Sequence, residues 1–154
     1  MPGSPFQRIP LATRFWAKVE RGSAHQCWNW IGATTTRRHG GSLYVYGNIR
    51  DDAPSSKVLL THRVALALAE AEATGKTLAV ILAEHAREDA CHRCDNTRCC
   101  NPRHLVWGSH RWNMLDYVKK YGRLGVGKDT PDPPRPSLPF EEPAHDDDQP
   151  DGRA

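Results

Sequence analysis

A cluster of cysteine and histidine residues between positions 91 and 105 constrains this chain more than any other part of its sequence. In this cluster Cys94, Cys99 and His104 are separated by four residues each time. A turn-rich loop with this spacing can bring three ligands to one tetrahedral Zn²⁺ ion. The fourth ligand must come from elsewhere, and Cys27 is the one cysteine outside the cluster. These four residues are the predicted ligands of a structural zinc ion, which would contribute directly to the folding of so small a domain.

The cluster also contains residues that such a zinc site does not need. A neutral histidine with the usual pKa of about 6.5 can accept a proton from water at cellular pH. We predict this role of general base for His92, because Cys94 would anchor its backbone to the zinc site two residues later. Two alternatives remain open: His92 is itself a zinc ligand, or Cys100 replaces Cys99 in the ligand set. The remaining thiols, Cys91 among them, are interpreted as small buried hydrophobic groups.

The distribution of charge predicts a nucleic-acid partner. The 154 residues carry a formal charge of +3, with 21 basic and 18 acidic residues. Two of the basic and eight of the acidic residues follow position 128, so residues 1–128 carry a charge of about +9. A small basic domain built around a zinc site is typical of proteins that bind nucleic acid. The alternative is a solvated basic surface without a specific partner.

The sequence also favours a reducing compartment. It contains no apolar run long enough to span a membrane and no signal-peptide pattern, so no membrane partner is expected. The five cysteines are odd in number and lie beside histidines, which favours metal binding over disulfides. We therefore expect a cytosolic or nuclear protein, in which thiols stay reduced.

The hydrophobic pattern predicts an α+β fold, in which an antiparallel β-ribbon precedes the cysteine cluster. The predicted elements are a helix over 11–19, strands over 27–32, 43–50 and 57–60, a basic turn over 37–41, a helix that ends at about Thr74 with Thr61 as its N-cap, an extended segment over 105–108, and a helix from Ser109 to Gly122.

Three regions follow from the composition. Residues 1–10 contain three prolines and are predicted to be a disordered lead-in, and residues 11–127 form the one folded domain. Residues 128–154 are rich in proline and acidic residues, and Leu138 and Phe140 are their only large apolar side chains. Because such a segment cannot bury enough apolar surface to become ordered, we predict a disordered acidic tail.

The ribbon offers candidate contacts to double-stranded DNA. A two-stranded ribbon is narrow enough to enter the major groove of DNA, where basic side chains at its turns can reach phosphates and bases. The alternative is that these side chains are ordinary exposed charges at the ends of hairpins. The candidate residues are Arg37, Arg38, Arg50 and Lys57.

Several motifs occur together in a fixed order. They are Arg14-Phe15-Trp16, Cys27-Trp28-x-Trp30-x-Gly32, His62-Arg63-x-Ala65, His92-x-Cys94-Asp95-Asn96-x-x-Cys99-x-Asn101-Pro102-x-His104-Leu105, Asn113 and Gly122-Arg123. In this order they resemble the zinc-bearing HNH endonucleases of phages and mobile introns, over about Arg14 to Arg123. The central segment is also similar to the His-Cys box homing endonucleases. The resemblance implies a ββα-metal (His-Me) finger, in which two short strands and a helix frame one catalytic divalent ion.

The resemblance also implies roles for individual residues. His92 would be the general base, and Asn113 would supply its side-chain carbonyl oxygen to a catalytic Mg²⁺ ion. Arg63 would contact the scissile phosphate. Many HNH enzymes place an aspartate just before the histidine, whereas this chain has Cys91 there. This departure makes the site more similar to the His-Cys box arrangement, in which a lone asparagine is the protein ligand of the catalytic ion.

Together these features predict a Mg²⁺-dependent, zinc-stabilised DNA endonuclease that hydrolyses phosphodiester bonds by water attack. The resemblance implies products with 5′-phosphate and 3′-hydroxyl ends. Homing enzymes of this kind often form a homodimer to reach both strands, although the sequence shows no clear dimerisation element. The principal alternative is a non-catalytic zinc-stabilised DNA-binding module on the same scaffold. A third alternative, a zinc-stabilised protein-interaction domain, predicts DNA affinity with little dependence on salt.

Overall fold

The computed structural model describes residues 8–39, 42–54 and 56–121. The predicted acidic tail, 128–154, lies outside the described residues, as do residues 1–7 of the predicted lead-in. The elements in chain order are α1 (Leu11–Trp16), β1 (Val19–Glu20), β2 (Asn29–Trp30), β3 (Thr34–His39), β4 (Ser42–Arg50), β5 (Val58–Leu60), α2 (Thr61–Thr74), α3 (Leu78–Glu84), β6 (Glu88–His92), a 3₁₀ turn (Pro102–His104), β7 (Leu105–Ser109) and α4 (His110–Tyr121).

The strands of the described residues form three small antiparallel sheets. β1 pairs with β2, β4 lies between β3 and β5, and β6 pairs with β7. The predicted combination of helices with antiparallel strands is therefore confirmed. The described part contains no helix that is long and apolar enough to cross a membrane.

The core lies between α2 and the sheets. α2 is rich in alanine, and its Val64, Ala65 and Leu66 are fully buried. Small side chains allow the sheets to approach this helix closely. Phe15 of α1 stacks on Trp30 of β2 with a ring-centroid distance of 5.4 Å, and this pair closes one end of the core.

The first helix is shorter than predicted. α1 ends at Trp16, and Val19 begins β1 by pairing with Trp30. The backbone N–H of Ile31 also donates to the carbonyl of Lys18 at 2.9 Å. The local helical pattern was therefore overridden by strand pairing with β2, which the β-branched side chain of Val19 favours.

The basic turn predicted over Arg37 to Gly41 is also wrong in part. Arg37, Arg38 and His39 belong to β3, in which Arg37 pairs with Tyr44 and Arg38 pairs with Leu43. The preceding run of β-branched threonines, Thr34 to Thr36, extends this strand well before the turn.

The start of α2 differs slightly from the prediction, and its end agrees with it. Leu60 occupies the N-cap position, and Thr61 is the first helical residue and is fully buried. Gly75 ends the helix with φ 71°, a left-handed conformation that glycine adopts without strain, and its N–H bonds to the carbonyl of Ala71 at 2.9 Å.

Candidate functional site

The four predicted zinc ligands lie together. The ligand atoms of Cys27, Cys94, Cys99 and His104 are all within 4.8 Å of one another. The Nδ1 atom of His104 is 3.7 Å from the Cys27 sulfur and 3.6 Å from the Cys99 sulfur. Tetrahedral zinc with Zn–S bonds of about 2.3 Å and Zn–N bonds of about 2.0 Å separates its ligands by about 3.5–3.8 Å. The donor set and its spacing therefore fit a closed structural zinc site.

Backbone pairing delivers the distant ligand, Cys27. The N–H of Cys100 donates to the carbonyl of Trp28 at 2.8 Å, and the N–H of Trp30 donates to the carbonyl of Arg98 at 2.9 Å. β2 therefore forms a short antiparallel bridge with the loop that carries Cys99. This bridge places Cys27 beside a ligand that follows it by 72 residues in the chain.

Asn101 holds the same two segments together from within the core. Its Nδ2 atom donates to the carbonyls of Ala24 and Gln26, both at 2.8 Å, and its Oδ1 atom accepts from the N–H of Arg103 at 3.0 Å. Asn101 is fully buried, and these bonds satisfy both ends of its side chain. The Asn-Pro step of the motif therefore fixes the approach of the loop that leads into Cys27.

Hydrogen bonding prepares one thiol of the cluster for a metal. The hydrogen bond between Cys94 and Cys99 lowers the pKa of Cys94 and raises that of Cys99, so Cys94 is the thiol of this pair that ionises first. A thiolate is the form of cysteine that binds zinc. Cys100 lies outside the cluster, is fully buried and directs its thiol to the carbonyl of Arg98 at 3.8 Å. The geometry therefore favours Cys99 over Cys100 as the ligand.

His92 lies beside the zinc cluster and outside it. It ends β6, where it pairs with Leu105 of β7, and its Nε2 atom is 3.2 Å from the carbonyl oxygen of Cys99. A carbonyl oxygen accepts only, so Nε2 carries the proton in the neutral ring and Nδ1 carries the lone pair. Burial lowers the pKa of His92, which favours this neutral form.

A second histidine packs against the first. The rings of His62 in α2 and His92 have centroids 4.8 Å apart, and the ring centroid of Tyr46 in β4 lies 5.4 Å from that of His62. His62 is only 6% exposed, and burial lowers its pKa well below the usual value. A neutral His62 therefore holds the ring of His92 against the zinc loop by packing.

Asn113 lies in the first turn of α4 and contacts β6. Its Nδ2 atom donates to Oδ2 of Asp89 at 3.1 Å, and the same carboxylate oxygen is 3.0 Å from Nδ1 of His110. Because side chains alternate along a strand, Asp89 and His92 project from opposite faces of β6. His92 therefore meets α2, whereas Asn113 reaches the hairpin from the α4 side.

Tyr46 lies near both the histidine pair and Asp89. Burial raises its pKa, Arg37 of β3 lowers it, and Asp89 raises it further. Both charges therefore lie within electrostatic range of the phenol. Burial lowers the pKa of His62 and the charge of Arg37 lowers it further, so Arg37 lies within electrostatic range of that ring. Tyr46 and Arg37 of the ribbon therefore lie near His62, and Tyr46 also lies near Asp89 of β6.

Arg63 braces α2 against the start of β6. Its guanidinium donates to the backbone carbonyl of Glu88 and, at 2.8 Å, to that of His85. The guanidinium carbon also lies 4.9 Å from the ring centroid of Trp107. These contacts give Arg63 a structural use, and its proposed contact with the scissile phosphate stays a prediction that they do not support.

The four ribbon candidates differ in their surroundings. Cross-strand pairs share one face of a sheet, so Arg37 lies with Tyr44, whereas Arg38 lies on the opposite face with Leu43. Arg50 donates to the carbonyl of Ser56 at 3.1 Å and thereby ties the β4–β5 turn. Lys57 is exposed beside β5. Of the four, Arg37 is the one whose charge acts on His62.

Sequence reasoning missed Asp89. Its position on a five-residue strand gives no periodicity, and it lies 24 residues from Asn113. The one sequence signal is an acidic pair, Glu88-Asp89, just before the cluster. Asp89 pairs with Gly108 of β7. The glycine allows α4 to approach the hairpin closely, because a Cβ atom at this position would lie 2.8 Å from the ring of Trp112.

Three ligands in the loop between two paired strands, together with Cys27 from a distant segment, form the Cys₃His cluster of a zinc-binding protein. Residues 26–115 match the family described as the zinc-binding loop region of homing endonuclease. This match covers more than half of the chain, and the chain belongs to this family. The resemblance expected from the motifs is therefore confirmed.

A phage protein is a further relative. The chain is 32% identical over 101 residues to Protein 2.8 of Escherichia phage T7. The alignment covers 66% of this chain and 55% of the phage protein, so the chain spans about half the length of that relative. No solved structure matches the chain significantly.

Proposed function

We propose that this protein is a divalent-metal-dependent DNA endonuclease in which β6, β7 and α4 form a ββα-metal finger. The observation that carries the proposal is the position of His92. Its ring is fixed against a zinc-ligand loop through Nε2 and bears its lone pair on Nδ1. Membership of a family named for homing endonucleases supports the same function.

His92 would act as the general base in phosphodiester hydrolysis. Nδ1 takes a proton from a water molecule, the water oxygen forms a bond to phosphorus, and the bond from phosphorus to the 3′ oxygen breaks. A second proton, from solvent, completes the 3′-hydroxyl. The packing of His62 and the bond to Cys99 keep the imidazole in one orientation during this step.

Asn113 would hold the catalytic cation. A carboxylate only accepts hydrogen bonds, so the atom of Asn113 that faces Asp89 is its amide nitrogen, and the oxygen is turned to the other side. Such an oxygen suits Mg²⁺, which keeps several waters and takes few protein ligands. A bound Mg²⁺ ion supplies positive charge that stabilises the leaving oxygen. In this proposal the phosphate would bind beside the end of β6, of which His92 is the last residue.

The first experiment asks whether the wild-type chain cuts DNA. Purified zinc-loaded protein, in 10-fold molar excess over the plasmid, is incubated with supercoiled plasmid DNA in the presence of either Mg²⁺ or Ca²⁺. We expect conversion to nicked or linear plasmid with Mg²⁺ only, and end-labelling should detect 5′-phosphate termini. Binding without cleavage in Mg²⁺ and Mn²⁺ would refute the endonuclease and favour the DNA-binding module. The ratio of nicked to linear product at increasing protein concentration tests whether the protein acts as a homodimer.

The ribbon yields a separate prediction on DNA affinity. Arg37→Ala should weaken binding to a 20-base-pair duplex and reduce the slope of log Kd against log salt by about one unit, since one phosphate contact is lost. Arg38→Ala is the matched control, because it removes the same charge from the opposite face of β3. Fluorescence anisotropy in Ca²⁺ over a series of KCl concentrations measures both slopes. Equal slopes for the two variants would contradict the assignment of the Arg37 face to DNA.

A further inference from the structure

We propose that Asp89 is a positioning residue that fixes the carboxamide orientation of Asn113 for the cation. This inference rests on the proposed function, because it concerns the cation-binding atom of that same site. Asp89 is part of neither the zinc cluster nor the histidine pair, and no sequence motif marked it. Its carboxylate is the group that joins β6 to the first turn of α4.

The orientation follows from the chemistry of the contact. A carboxamide has two ends of similar shape, one a donor and the other an acceptor. A free Asn113 could turn either end toward a cation, and the N–H₂ end would repel it. Oδ2 of Asp89 lies 3.1 Å from Nδ2 of Asn113 and accepts its hydrogen bond. The flipped rotamer would place two oxygen atoms at this distance, so the carboxylate selects the rotamer with Oδ1 directed away from Asp89.

The surroundings keep this carboxylate in place. The backbone of Asp89 is held in β6 by its pairing with Gly108. His110, the first residue of α4 and three residues before Asn113, approaches the same oxygen at 3.0 Å. Burial raises the pKa of Tyr46 and the charge of Asp89 raises it further, so Asp89 lies within electrostatic range of β4. On the strand side, the contact with Asn113 is held by the backbone pairing of Asp89.

The first test measures the orientation of the amide without metal or DNA. In wild-type protein labelled with ¹⁵N-asparagine, one Nδ2 proton of Asn113 should be shifted downfield and exchange slowly with solvent. The resonance is assigned by its absence in Asn113→Ala. In Asp89→Ala, both the downfield shift and the slow exchange should be lost. An unchanged Asn113 resonance in Asp89→Ala would overturn the proposal, whatever the activity of the protein.

The second test measures cation affinity with Mn²⁺ as the probe. Electron paramagnetic resonance counts free Mn²⁺ during titration of the zinc-loaded protein bound to a duplex. We expect Asp89→Ala to weaken Mn²⁺ binding at least fivefold, toward the value of Asn113→Ala. Asp116→Asn is the matched control, because it also removes a carboxylate charge from α4, where Asp116 pairs with Lys120 at 2.9 Å. The Mn²⁺ affinity of this variant should stay within twofold of wild type. Equal weakening by both variants would show a general charge effect and refute positioning.

An exchange of the two side chains provides a rescue. In Asp89→Asn combined with Asn113→Asp, the amide at position 89 donates to the carboxylate at position 113, which keeps one oxygen for the cation. Mn²⁺ affinity and cleavage should recover to within about threefold of wild type, whereas Asp89→Asn alone should remain weakened. Failure of the double variant to recover, with its fold intact by circular dichroism, would overturn the proposal. Absence of cleavage by wild type would refute the endonuclease, and the amide and Mn²⁺ measurements would still decide the role of Asp89.

Discussion

Replacing His92 by alanine is expected to lower the rate of DNA cleavage by about 10²–10⁴-fold, the range typical of a lost general base. The affinity for duplex DNA should stay within about twofold of wild type, because the neutral ring contributes no charge to phosphate binding. His92 lies outside the Cys₃His ligand group, so the variant should still bind one zinc ion per chain.

Single-turnover kinetics with enzyme in excess over a labelled duplex isolate this effect from product release. Added imidazole should restore part of the rate in His92→Ala, because the lost side chain leaves a space between His62 and the zinc loop. Imidazole should give no such stimulation in Asn113→Ala, in which the cation-binding oxygen and not the base is missing. Cleavage by His92→Ala at the wild-type rate would refute the assignment of the base.

Local spacing made the zinc site predictable. Cys94, Cys99 and His104 lie within eleven residues, and a loop of that length confines its ligands whatever the rest of the fold does. Cys27 was identified by elimination, and its delivery depends on the bridge between β2 and the segment around Cys99. The four-residue spacing of the loop ligands does not predict this bridge, because the bridge is a contact between distant parts of the chain.

The errors occurred where tertiary pairing decides the structure. Val19 fits a helical face in the sequence, yet it pairs with Trp30, and β3 continues through Arg37 because Tyr44 pairs with it. Trp30 follows Val19 by 11 residues and Tyr44 follows Arg37 by seven, which is beyond the third and fourth neighbours that contact in a helix and beyond the four residues of a turn. Local sequence patterns fail in the same way for Asp89 in the candidate site, because its partner Asn113 becomes a neighbour only when α4 folds back on the hairpin. Family motifs identify the residues that many members share, and Asp89 is outside the motifs that this chain displays.

The zinc ligands carry the second large expected effect. Replacing Cys99 by alanine should abolish zinc binding and unfold the domain. Structural zinc sites in small domains contribute about 10–16 kcal/mol at neutral pH, whereas a domain of this size has a net stability of about 5–15 kcal/mol. The zinc loop also holds the ribbon, since the Thr97 hydroxyl donates to the carbonyl of Val45 at 2.6 Å. Loss of the ion should therefore release β4 as well as the loop.

Cys91→Ala is the matched control, because Cys91 is a buried cysteine in the same segment and lies outside the ligand group. It should keep one zinc ion and lose about 1 kcal/mol from the smaller side chain. Zinc content by mass spectrometry of metals, together with thermal unfolding by circular dichroism, measures both variants. Should Cys99→Ala retain zinc and its unfolding transition while Cys100→Ala loses them, the ligand would be Cys100. If both Cys99→Ala and Cys100→Ala retain the ion, other residues bind the metal. Zinc binding by Cys99 would then no longer explain the position of His92 against the Cys99 carbonyl.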